Sequence, residues 1–150
     1  MRVFSLARVL ELAERRSEGL SRAVKRAHGA WLQARGREVR LLALRDARTA
    51  ELAGRLRAGM GAPQLQEVNR LLQAQTAEMH SARLAIDAAH AAWQARLAEW
   101  LEVEQRVKAL RQLRERHFAR LAVQQRRVEQ REHDELVALA HRRDASRRIR

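Results

Sequence analysis

The chain has 150 residues, 46% of them hydrophobic but only 3% aromatic, and carries 31 Lys and Arg against 18 Asp and Glu for a net charge of +13. It contains no cysteine, which excludes a disulfide framework, a zinc–cysteine site and a thiol nucleophile. The scarcity of aromatic rings argues against a rounded core, and the mixture of Ala, Leu and Val with Arg, Glu and Gln is that of long helices and coiled coils. No run of about 18 apolar residues occurs, so no membrane span is predicted. The opening Met1-Arg2-Val3-Phe4 is followed by Arg8, Glu11 and Glu14, a pattern unlike a secretory signal. Together with the missing thiols this reads as a cytoplasmic protein.

From the N-terminus, apolar residues recur at alternating spacings of three and four: Leu6, Leu10, Ala13, Ser17, Leu20, Val24, Ala27, Trp31, Ala34, Glu38 and Leu41. Ser17 and Glu38 are the polar breaks in this lane. Beyond Leu41 it slips by one and continues through Leu42, Thr49, Leu52 and Leu56. The spacing predicts a first helix over about residues 3–58. Gly19, Gly29 and Gly36 lie inside it, each costing about 1 kcal/mol relative to alanine.

Gly54, Gly59, Gly61 and the only proline, Pro63, then crowd together. Glycine suits the end of a helix and proline the first turn of the next, so residues 59–63 read as a corner. A second lane follows: Leu65, Val68, Leu72, Gln75, Met79, Ala82, Ile86, Ala89, Trp93, Leu97, Trp100 and Val107, then, less regularly, Leu110, Leu113, Leu121, Val128, Leu136 and Leu139. It predicts a second helix over about residues 64–142 and a basic C-terminal tail over 143–150. Sustained three–four spacing with charges between is the mark of a coiled coil. Two helices joined by so short a corner run antiparallel. At ~1.5 Å per residue they measure roughly 80 and 115 Å, and the second overhangs the first. The expected fold is all-α, a long antiparallel two-helix coiled-coil hairpin. Its seam is expected to hold Leu20, Val24, Trp31, Ile86, Trp93, Trp100 and Val107. The tryptophans either fill gaps in that seam or anchor a partner.

Charge is unevenly placed. Residues 1–60 hold 14 basic and 6 acidic side chains, residues 61–100 hold 3 and 4, and residues 101–150 hold 14 and 8. In a hairpin the basic segments lie together and the nearly neutral stretch falls just past the corner, where an apolar contact with another protein is expected. Only Lys25 and Lys108 are lysines. Either the genome favours arginine, or arginine forks meet carboxylates of a partner. Local pairs such as Glu11–Arg15 and Glu102–Arg106 absorb part of the charge at tenths of a kcal/mol each. The remainder points to an acidic surface, an acidic channel or a polyanion.

No G-x-x-x-x-G-K-[ST], G-x-S-x-G or H-E-x-x-H motif occurs. Of the six histidines, His133 sits one turn from Glu129, but one such pair falls short of a metal site, and a two-helix hairpin lacks the layers that enclose a pocket. No enzyme activity, cofactor or metal is expected.

Three stretches carry a family resemblance. Val9-Leu10-Glu11-Leu12-Ala13-Glu14-Arg15-Arg16 resembles the opening of the flagellar export protein FliJ. Ala92-Trp93 with Arg106-Val107-Lys108-Ala109-Leu110-Arg111-Gln112-Leu113 is similar to that family's pattern midway along its second helix. Gln130-Arg131-Glu132-His133-Asp134-Glu135-Leu136 resembles its closing signature, and the glycine-rich corner near residue 60 falls where that family turns. The aromatic residues that the family often places just after the turn are here Leu71 and Leu72.

The resemblance implies a soluble part of a type III export apparatus, cytoplasmic and peripheral at the inner membrane. Such a protein stands in the pore of a hexameric export ATPase (FliI/SctN type) and helps the ring assemble. It also links the ring to the export gate (FlhA/SctV type) and to export chaperones. On that basis Leu6, Leu10, Arg15, Arg16, Arg126, Arg127 and Arg131 at the open end would meet the ATPase ring. Leu71, Leu72, Gln75 and Met79 would meet the gate, although Leu72 and Met79 also fit the seam. The alternatives are an injectisome counterpart (YscO/HrpO type), a basic nucleic-acid-binding coiled coil, and a dimeric coiled coil with another scaffold role.

Overall fold

The computed structural model describes residues 4–148. Two helices account for nearly all of them: α1, Ala7–Ala58, and α2, Ala62–Arg148. They pack against each other as an antiparallel helical hairpin, the fold expected from the lanes. The expected start of the first helix at residue 3 and the last two residues of the expected tail lie outside the described residues. Residues 143–148 are not a separate tail, since α2 runs through them as helix; no proline or glycine intervenes after Pro63 to stop it.

The corner is built as its residues dictate. Gly59 has φ +94°, a left-handed conformation that glycine adopts without penalty and that ends helices. Its N–H donates to the Leu56 carbonyl at 3.3 Å. The Gly61 N–H donates to Gln64 Oε1 at 3.1 Å, and the Leu65 N–H donates to the Gly61 carbonyl at 3.1 Å. Gln64 therefore reaches back from the third helical position to the residue before α2, one half of a capping box. Pro63 occupies the first turn, where a missing N–H costs nothing.

Contacts gather into two units, one made of residues 15–103 and one of residues 1–14 with 104–150. In the first, partners run in opposite order along the two helices. The His28 and Trp93 rings lie 4.7 Å apart, Glu38 pairs with Arg83 at 3.4 Å, Arg37 with Glu78 at 3.9 Å, and Leu41 packs with Met79 and Ala82 in a buried cluster. Of the expected seam residues here, Leu20, Val24, Trp31, Ile86, Trp93 and Trp100 are half-buried. A single facing helix covers one side of each side chain and leaves the other in water.

In the second unit Leu10 and Val107 are buried, Val107 to 1% exposure, together with Phe4. Glu14 accepts a charge-assisted bond from Arg111 at 3.0 Å, and the Phe4 and His117 rings stand 5.6 Å apart. Arg114 and His117 take the half-buried positions where Leu113 was expected, and Leu113 faces out. Contact along this part of α2 ends at Leu121, the last half-buried residue; from Ala122 to Arg148 every residue is exposed. Val128, Leu136 and Leu139 are therefore not seam residues, because α1 has no residue left to cover them.

Candidate functional site

Two surfaces stand out, one in each unit. The first flanks the corner. A groove of about 270 Å³ is lined by Arg48, Glu51, Leu52 and Arg55 of α1 and by Val68, Leu71, Leu72 and Gln75 of α2. A second hollow, about 400 Å³, shares Arg55, Val68 and Leu71 with it and continues past Gln64 and Glu67 to Gly59 and Met60. Leu71 is 56% exposed and Leu72 39%, so both offer apolar surface to a partner. Gln75 and Met79 do not, at 7% exposure each. Met79 belongs to the cluster with Leu41, and Gln75 is a polar member of the seam whose Nε2 has no acceptor among the described residues.

The residues singled out from the sequence lie on α2 alone, whereas the groove they border also has a wall on α1. The signal for that wall was weak. The first lane turns irregular after Leu42, and only the antiparallel pairing brings Arg48, Leu52 and Arg55 opposite Val68 and Leu71.

The second surface is the last part of α2. Arg126, Arg127 and Arg131 are exposed on its uncovered stretch. On the paired stretch Leu6 is half-buried and Leu10 only 3% exposed, while Arg15 and Arg16 face out. Leu10 is thus a packing residue of its unit. Arg116, Arg120, Arg127 and Arg131 recur at spacings of four, seven and four, which places them on one face of the helix. They form no ion pair among the described residues. Arg116–Arg120 and Arg127–Arg131 are like charges one turn apart, an arrangement that costs a few tenths of a kcal/mol per pair.

Trp31 and Trp93 both join the helices and keep part of their rings at the surface. Trp31 and Trp93 stack at 5.1 Å, His28 and His90 pack their rings against both, and the Arg35 guanidinium lies 5.0 Å from the Trp31 ring. This is a bridge between α1 and α2, and the half-exposed rings also remain reachable from outside.

Among the described residues no group of three or more His, Asp or Glu could hold a metal ion, and no helix is long and apolar enough to cross a membrane. The grooves are open and their polar side chains are arginine, glutamate and glutamine, without a nucleophile paired to a base. The grooves set apolar side chains beside arginine and glutamate. No curated protein and no solved structure significantly matches the chain. The model of one protein family, described as "Flagellar FliJ protein", matches residues 1–146. A basic helical hairpin matched along almost its whole length in this way belongs to the FliJ family, a component of the flagellar type III export system.

Proposed function

We propose that this protein is a non-enzymatic stalk and adaptor of the flagellar export apparatus. It enters the ring of the hexameric export ATPase by the end that holds the α1 N-terminus and the uncovered part of α2. It promotes assembly and activity of that ring. Through the surface flanking the corner it links the ring to the membrane export gate, and it also serves export chaperones. It works in the cytoplasm, peripheral to the inner membrane through its partners. The reading is carried by one combined observation: family membership over residues 1–146 in a hairpin whose α2 outlasts its partner helix. An uncovered basic helix is suited to steering into an acidic opening.

The test uses purified ATPase and the full chain. Arg126→Glu/Arg127→Glu/Arg131→Glu changes only exposed residues, so the fold should persist, while ring association should weaken by about tenfold or more at low salt. A folded wild-type chain that fails to bind the ATPase at low ionic strength would remove the stalk assignment.

A further inference from the structure

The last part of α2 is written in blocks of charge. Residues 129–135 hold Glu129, Glu132, Asp134 and Glu135 against Arg131, and residues 142–148 hold Arg142, Arg143, Arg147 and Arg148 against Asp144. Both blocks are exposed. Between them lie Leu136, Val137 and Leu139, 66%, 42% and 51% exposed. Leu136 and Leu139 share one face of the helix with Glu129 and Glu132 before them and Arg143 after them, at spacings of three, four, three and four. Glu129, Glu132 and Glu135 stand three residues apart, and Arg143 and Arg147 four apart. Each block therefore repels itself along an isolated helix.

A second copy of the same stretch answers this pattern in one direction only. Side by side in parallel and in register, acid lies beside acid and arginine beside arginine. Run antiparallel, with Leu136 level with Leu139 of the second copy, Glu132 comes level with Arg143 of the second copy. Glu129 then falls within one residue of the level of Arg147 of the second copy, on the same flank, and Glu135 within two residues of the level of Arg142 of the second copy, on the other. Twofold symmetry repeats each match. The overlap runs from residue 127 to residue 148, about 33 Å at ~1.5 Å per residue. It stops short of Leu121, the last residue that α1 half-covers, so α1 of neither copy stands in the way.

We propose that two copies of this chain pair antiparallel through residues 127–148, with Leu136 and Leu139 at the centre and the acidic block of each copy against the basic block of the other. Two leucines per copy make a small interface of the weak, transient kind. Its dissociation constant is on the order of 100 µM, and the dilute chain is a single hairpin. The pair occupies the stretch read above as entering the ATPase ring, so paired chain and ring-bound chain exclude each other. Only this competition rests on that reading; the pairing does not.

Sedimentation equilibrium of the full chain at low salt, from about 5 to about 500 µM, reads the pairing directly. The mass should rise from that of one chain toward that of two. Leu136→Glu/Leu139→Glu should stay monomeric throughout, with helicity unchanged by circular dichroism. Glu132→Arg and Arg143→Glu should each weaken pairing at least tenfold, and the two together should restore it to within about threefold of the wild type, because the swapped charges meet again across the twofold axis. Glu18→Arg, the same charge change on an exposed position of α1, should alter it less than twofold. A chain still monomeric at the highest concentration, or a double swap no better than either single change, would overturn the proposal. Purified export ATPase in excess should dissolve the pair. A pair that binds the ATPase undiminished would overturn the competition and leave the pairing intact.

Discussion

Individual residues separate into those the fold needs in place and those it does not. A Cβ at Gly29 or Gly54 would meet nothing within 4 Å, whereas Gly59 holds φ +94°. Gly29→Ala and Gly54→Ala should each stabilise the hairpin by about 0.5–1 kcal/mol, and Gly59→Ala should destabilise it by about 1–2 kcal/mol. Urea unfolding followed at 222 nm would rank the three; a loss of stability in the first two would show that those glycines answer to packing not visible in the hairpin. Met79 and Leu136 make a second contrast. Met79→Ala, in the cluster with Leu41 and Ala82, should cost about 2 kcal/mol, the low end for a buried site because so thin a structure can close on the gap. Leu136→Ala, 66% exposed, should fall within about 0.5 kcal/mol of zero. The sequence made Met79 ambiguous, since a methionine at seam spacing reads equally as core or contact, and only its burial decides.

For the helices, the corner and the first lane were legible because local chemistry writes them: Gly59 and Pro63 mark a break, and three–four spacing marks a face. The end of pairing on α2 was not legible. Leu136 and Leu139 keep the spacing of the lane, yet what covers them is set by how many residues precede the corner, a distant property. Polar seam members were missed for the reverse reason. His117 reaches the seam through its ring against Phe4, and Glu14 accepts from Arg111 of the facing helix, a pairing that no spacing along one helix announces. Amide hydrogen exchange should divide α2 accordingly, with residues 122–148 exchanging far faster than residues 100–120, because a helix without a facing partner opens locally. Uniform protection along α2 would mean that a second surface covers it in solution. The Trp31–Trp93 stack offers a separate probe of pairing. Trp93→Asp puts a carboxylate where the rings meet, and near-ultraviolet circular dichroism should lose its tryptophan signal together with export function.

At the scale of the whole molecule, a net charge of +13 keeps the chain soluble and makes its associations sensitive to salt. Ring binding should therefore fall as ionic strength rises, more steeply for the wild type than for the Arg126, Arg127 and Arg131 triple reversal. Truncation after Leu121 removes a stretch whose described residues, 122–148, are all exposed. The shortened chain should keep its melting temperature within a few degrees and lose ATPase association, which separates folding from function in one variant.

The three residues between Ala58 and Ala62 also set the order of assembly in time. Leu52 and Val68 are near neighbours along the polypeptide, while Phe4 and His117 are separated by about three quarters of it. Joining distant segments first carries the larger closure entropy, so the hairpin should zip from its bend outward, each new rung shortening the search for the next. A substitution that stiffens or strains Gly59 would then slow folding itself, whereas one at Phe4 would chiefly hasten unfolding.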